Sequence, residues 1–276
     1  MRIDLLLVRP DSTFFLRLAR AFDRIVAVLD PAISVHRAFL LETDPAAIAR
    51  RIAEPPHRRS GLILAVPDTA PVQEALGRVA REGLPVVQVV SRAVTQGAAY
   101  VGIDNKAAGR TAALFLARMQ PRPGPVVAFC HSGLYAVHRD RISGFSDALA
   151  RHAPHLAFEC VLFHGDDGSR ARVLLREALQ TWPDLAGFYN AGGANGALAE
   201  ELARLPNGDK VFFAGHELTD RSARALRDGV MDIVLDQEPE AQAQRAMDLM
   251  LHSLGFLQEP VENPAIRFVT LTAANV

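Results

Sequence analysis

Little in this chain advertises a common functional class. Only two of its 276 residues are cysteine, Cys130 and Cys160. Both sit inside apolar runs, where they read as buried thiols of a reducing compartment rather than as a disulfide or a metal pair. No apolar run approaches the roughly 18 residues needed to span a bilayer. Met1-Arg2-Ile3-Asp4 leads directly into Leu5-Leu6-Leu7-Val8, placing an acid where the apolar part of a secretion signal would begin. The expected location is therefore the cytoplasm. An excess of one charge is also missing: 30 Lys and Arg face 31 Asp and Glu, for a net charge of −1. The nearest thing to a basic patch, His57-Arg58-Arg59 beside Pro55-Pro56, reads as a solvated loop, so this chain is not expected to grip nucleic acid by itself.

Enzyme signatures are absent as well. There is no Gly-x-Gly-x-x-Gly after a strand, no phosphate-binding loop of the Walker type and no Gly-x-Ser-x-Gly elbow. Ser132 has no evident base beside it. The nine histidines look scattered, and His152 and His155, three apart around Pro154, lack further ligands for a metal. The expectation is a protein that is not an enzyme and carries no cofactor and no metal.

What the chain does have is alternation. Hydrophobic residues make up 49% and charged residues 22%, ordinary values for a globular protein. Continuous apolar runs near 3–8, 35–40, 61–66 and 85–90 read as parallel strands covered on both faces. Helices between them are expected at 14–28, 44–53 and 70–81, with Ser12 or Thr13 capping the first and Asp44-Pro45 opening the second. A second set follows. Its strands are read at 126–130, 158–163, 187–190, 211–214 and 233–235, and its helices at 106–119, 139–151, 169–182, 195–204, 220–228 and 239–254. One more strand is read at 265–271, and Pro206-Asn207-Gly208-Asp209 reads as a turn. The fold class is α/β, with two doubly wound lobes.

Each strand of the second set runs out into small or polar residues just before a helix: Gly102-Ile103-Asp104-Asn105, Cys130-His131, Asn190-Ala191-Gly192-Gly193, Gly215-His216-Glu217 and Asp236-Gln237. Parallel sheets bind ligands at the carboxyl ends of their strands, so a pocket for a small polar molecule is the leading idea. Arg141, near the start of a helix, suits forked contact with two ligand oxygens. Asn190, Glu217 and Gln237 offer donors or acceptors at strand ends. The Gly192-Gly193 pair reads as a tight turn or as amides for an anion or hydroxyl. Of Phe14 and Phe15, one packs inward and the other is available to wall a ligand.

These residues resemble the effector-binding core of the LacI/GalR transcriptional regulators, whose fold is shared with periplasmic sugar-binding proteins. The phrases that carry the likeness are Val101-Gly-Ile-Asp-Asn105 with Ala108-Gly109, Arg141-x-x-Gly144-Phe145-x-x-Ala148-Leu149, Asn190 with Asn195-Gly196, Gly215-His-Glu-Leu218, and Ala225-Leu-x-x-Gly229 continuing to Gln237-x-Pro239. The resemblance implies a periplasmic-binding-protein-like type I fold. Its N-terminal lobe would comprise 1–102 with 239–268, its C-terminal lobe 103–238 with 269–276, joined by three hinge crossings. It implies a sugar-like effector, or a related polyol or nucleoside, held in the cleft by Ser12, Phe15, Arg92, Arg141, Asn190, Glu217 and Gln237. It further implies a homodimer that reaches operator DNA through an N-terminal helix-turn-helix head, which this chain does not contain. Where the family stacks an aromatic on its sugar, this chain has Asp166-Asp167-Gly168, carboxylates that disfavour a strongly anionic effector. The rival readings are a solute-binding receptor for a transporter, with the same fold and pocket, and a doubly wound enzyme, for which no nucleophile and base can be assembled.

Overall fold

The computed structural model describes residues 1–9, 12–93, 97–205 and 208–276, Asp209 by its backbone alone. The turn expected at 206–209 therefore begins outside the described residues.

The chain divides into two compact units. The first comprises Met1–Ile103, Leu134–Ala136 and Glu238–Ile266. It opens with β1 (Arg2–Val8), α1 (Thr13–Val26), β2 (Ser34–Leu40), α2 (Pro45–Ala53), β3 (Gly61–Ala65), α3 (Ala70–Arg81), β4 (Val86–Val89) and β5 (Ala99–Val101). These strands form a wholly parallel sheet in the order β2-β1-β3-β4-β5. The continuous apolar runs have the expected cause: β3 is buried along its whole length and β1 from Ile3 onward, because helices cover both faces. In α1, Phe14, Leu18 and Phe22 recur every fourth residue and are all buried, the stripe that anchors a helix on a sheet. Asp44 caps α2 by accepting from the Ala47 amide at 2.9 Å, and Pro45 fills the first helical position, where no amide partner is required.

The second unit comprises Asp104–Gly133, Val137–Gln237 and Arg267–Val276. In chain order it contains α4 (Asn105–Met119), β6 (Gly124–Cys130), α5 (Ala136–His152), β7 (Leu156–Phe163), α6 (Gly168–Thr181), β8 (Gly187–Asn190), α7 (Asn195–Leu202), β9 (Phe212–His216), α8 (Asp220–Arg227) and β10 (Ile233–Asp236). The next helix, α9 (Pro239–Ser253), belongs to the first unit, where it packs on α1, β4 and β5. The last strand, β11 (Val269–Leu271), returns to the second. The sheet order is β11-β10-β9-β8-β6-β7. Phe129, Phe188, Phe213 and Leu226 lie at the centre of its core, all fully buried.

Three expectations need correcting. The strand read at 265–271 is only Val269–Leu271 and runs antiparallel to β10, while Ile266 makes a single bridge to Ile103. The helix read from 139 starts at Ala136. Arg59, read as part of a solvated loop, has a side chain only 3% exposed and donates to the carbonyls of Arg51 and Ile52. Its charge was visible in the sequence, but the buried acid it turns toward was far away along the chain.

Glycine decides one packing detail that positions the site. A Cβ on Gly109 of α4 would lie 2.0 Å from the Arg141 carbonyl, and one on Gly144 of α5 would lie 2.2 Å from the Lys106 carbonyl. The two helices therefore touch backbone to backbone, which only residues without a side chain allow.

Candidate functional site

In the second unit the carboxyl ends of β6, β7, β8, β9 and β10 deliver Cys130-His131, His164, Asn190, His216 and Asp236-Gln237 to one end of the sheet. Backbone strain is concentrated at strand ends in both units. Among the described residues, the non-glycine positions with left-handed φ are Arg9, Val90, Asp166, Ala194, Glu217 and Glu238. Each follows the end of a strand by one to four residues. Such conformations cost free energy and persist where the surroundings hold them, often at ligand sites.

Arg141 is the buried cation of this region, 3% exposed. Its Nε donates to Asn105 Oδ1 at 2.8 Å and its Nη1 to the Ala191 carbonyl at 2.9 Å. Nη2 is buried and has no hydrogen-bond partner. The Asn105 contact explains why the phrase ending at Asn105 matters: it sets the guanidinium plane. Asp104 caps the same helix through the Ala107 amide at 2.8 Å.

Asn190 is placed differently from what a free ligand contact would require. Its Nδ2 donates to Gly193 O and to Asn195 Oδ1, and its Oδ1 accepts from His164 Nε2 at 3.1 Å and the Gly192 amide at 3.3 Å. The Gly193 amide is engaged too, by Asp166 Oδ1 at 2.8 Å. The Gly192-Gly193 pair is therefore a turn whose amides are taken by protein acceptors, the Asn190 side-chain oxygen and the Asp166 carboxylate, rather than presented to a ligand. His164 Nδ1 accepts from the Asp166 amide at 2.8 Å, an arrangement that presents Nε2 to Asn190 Oδ1 as the donor.

Nor are the histidines scattered. Chain positions far apart bring His131, His138, His164 and His216 to this end of the sheet. All four are at most 8% exposed. His138 Nδ1 faces the Ser132 carbonyl at 3.2 Å, and His131 lies edge-on to His138 with ring centroids 5.8 Å apart. His216 Nε2 meets Tyr189 Oη at 2.6 Å, while its Nδ1 is buried without a partner. Burial, and next the Arg141 charge, push His138 down to about 3 and hold His216 well below its ordinary value. Burial pushes the Cys130 thiol up to about 12, with Arg141 opposing. Besides Arg141, the carboxylates of Asp166, Glu217 and Asp236 stand at this end of the sheet. Asp167, the other acid read there, caps α6 through the Arg170 amide at 2.9 Å.

Gln237, 3% exposed, donates to Glu217 Oε1, so these two form a linked pair. In the first unit Ser12 stands at the N-cap of α1 with no side-chain cap bond, and both Phe14 and Phe15 are buried, at 7% and 6%. Arg92 is exposed, its guanidinium carbon 5.7 Å from the Tyr100 ring centroid. Beside it the Ser91 hydroxyl is buried with no partner. Ser91, like the histidines, was passed over in the sequence; its only signal there is that it directly follows a strand. Among the described residues no group of three His, Cys, Asp or Glu is placed to hold a metal.

Residues 46–256 match the family profile described as the periplasmic binding protein domain. The chain belongs to that family. Solved structures share the fold of this family member over its whole length at low identity. GanP, a glucose-galactose binding protein from Geobacillus stearothermophilus, is 18% identical with a TM-score of 0.86 over 100% of this chain and 99% of its own. An ABC transporter solute binding protein from Agrobacterium vitis, bound with alpha-D-tagatopyranose, is 19% identical with a TM-score of 0.85 over 100% and 95%. One from Burkholderia graminis C4D1M, in complex with D-arabinose, is 18% identical with a TM-score of 0.86 over 99% and 96%. No curated protein sequence matches the chain. What stands for this periplasmic binding protein domain is the type I fold; the regulator-specific part of the sequence resemblance has no counterpart in these matches.

Proposed function

We propose that this chain is a solute-binding receptor of the transporter type and that it binds a neutral monosaccharide at the strand ends described above. The observation that carries the reading is Arg141: a buried guanidinium, fixed by Asn105 and Ala191, that keeps Nη2 for an acceptor not supplied by the protein. A sugar hydroxyl or ring oxygen is such an acceptor. Asp166, Glu217 and Asp236 stand at the same strand ends as the buried cation Arg141, a balance that disfavours an anionic ligand. The sugars named with the structurally similar proteins support the same class.

Isothermal titration of the protein with D-tagatose, D-galactose, D-arabinose and related sugars tests this. At least one should bind saturably, and Arg141→Ala should weaken it by about tenfold to a hundredfold, the worth of a charge-assisted hydrogen bond. Binding of none, or undiminished affinity in the variant, overturns the proposal.

The regulator reading takes second place. It is supported by the ordered phrases from Val101 to Pro239, yet two of their glycines, Gly109 and Gly144, have their role in helix packing, which any chain with this crossing requires. A homodimer, operator DNA and a cytoplasmic location go with that reading; export goes with the receptor. Sedimentation separates them: a monomer fits the receptor, a tight dimer the regulator.

A further inference from the structure

At the opposite end of the first unit's sheet, away from its carboxyl strand ends, three arginines surround one acid. Asp4 of β1 is fully buried. Arg2, which opens the same strand, reaches Asp4 Oδ1 at 3.2 Å. Arg51, from the last turn of α2, and Arg59, just before β3, stand 3.6 and 3.7 Å from Asp4 Oδ2. The last two distances exceed a hydrogen bond, so neither guanidinium is forked onto the acid. Arg51 Nη1, Arg59 Nε and Asp4 Oδ2 are each buried with no hydrogen-bond partner. Three guanidiniums face one carboxylate, with Glu82 the weakest of the charges acting on Arg59. The cluster therefore keeps an excess of positive charge in a place where burying it is costly unless an anion compensates.

We propose that Arg2, Arg51 and Arg59 form a binding site for a small oxyanion of the phosphate class. The planar fork of a guanidinium matches two oxygens of a tetrahedral anion. Arg2 and Arg51 would supply such forks, while Arg59, whose Nη1 and Nη2 already donate to the Arg51 and Ile52 carbonyls, would add its Nε and its charge. Access exists: the Arg2 and Arg51 side chains are 23% and 20% exposed, while Arg59, at 3%, forms the floor. The backbone around them is pinned, since the Ser60 amide donates to Arg2 O at 2.7 Å and Arg59 holds the carbonyls that end α2. Burial above all, with Arg51 adding to it against the pull of Asp4, keeps the Arg59 guanidinium below its ordinary value. An incoming anion relieves that same imbalance.

The test is isothermal titration of the whole chain with sodium phosphate against sodium chloride at equal ionic strength. Saturable heat is expected with phosphate and none with chloride. Arg51→Gln should weaken phosphate binding by about tenfold or more, with circular dichroism showing the variant folded. Should Arg51→Gln not fold, Arg2→Gln serves in its place. Arg141→Ala should leave phosphate binding unchanged, which separates this site from the sugar proposal. Equal responses to both salts, phosphate heat that survives both Arg51→Gln and Arg2→Gln, or phosphate heat lost in Arg141→Ala would each refute the site.

Discussion

Arg141 bonds the carbonyl of Ala191, the residue after Asn190, yet the structure gives Asn190 and Arg141 opposite jobs. Asn190 has its amide bonded to Gly193 and Asn195 and its oxygen to His164 and Gly192. Asn190→Ala strands buried donors and acceptors on all of these, so it should lower stability by about 2–4 kcal/mol, read from urea unfolding, with sugar affinity changing only as the fold loosens. Arg141→Ala should do the reverse, losing affinity more than stability. Histidine sets the response to pH. His138 falls to about 3 in the folded protein from an ordinary value of 6.5. Between those values the unfolded chain binds a proton that the folded chain does not, so stability is fully present above pH 6.5 and drains away as pH drops through the window. The slope should be about 1.4 kcal/mol per pH unit for each such histidine, with His216 adding in the same direction. Urea midpoints between pH 7.5 and 4.5 measure it, and His138→Asn should flatten the curve. A wild-type midpoint that does not move would show that these imidazoles charge freely in the folded state.

The crossing of α4 on α5 links a motif to the site. Gly109 and Gly144 were legible as motif glycines, but their reason was not, because it lies in the 2.0 and 2.2 Å clearances to backbone carbonyls on the other helix. Gly109→Ala should push α5 away and carry Arg141 with it. The expected cost is about 1–3 kcal/mol of stability, together with weaker sugar binding. The thermal midpoint and a titration read the two effects in one sample. The turn after β8 makes the opposite prediction. Ala194 caps α7 at φ +64, a conformation that costs an L-residue about 1–2 kcal/mol and glycine nothing. Ala194→Gly should therefore stabilise the protein by roughly 0.5–1 kcal/mol after the extra flexibility of the unfolded glycine is subtracted. A lower midpoint in this variant would mean that the Ala194 methyl contributes more to packing than its backbone costs.

Each unit draws on separated stretches of chain, so α9 completes the first sheet's cover only after the second unit's β10 has been laid down. A sugar that binds the folded protein should raise its thermal midpoint in proportion to the logarithm of concentration, adding about 2.7 kcal/mol at one hundred times Kd; a midpoint indifferent to every sugar that gives heat in titration would place that heat outside specific binding. The order of strands and helices was legible residue by residue. Unbroken apolar runs such as Leu5-Leu6-Leu7-Val8, short and alternating with amphipathic helices, suit strands covered on both faces, and parallel strands necessarily deliver their carboxyl ends to one side. That is why Arg141, Asn190, Glu217 and Gln237 could be picked out from one dimension. Which of them is available to a ligand was not written there. It depends on who hydrogen-bonds whom over separations of 26 residues for His164 with Asn190 and 36 for Asn105 with Arg141. The gathering of four histidines and the burial of Arg59 against Asp4 were likewise settled by folding, because burial and partner choice belong to the packed chain, whereas periodicity belongs to the local one.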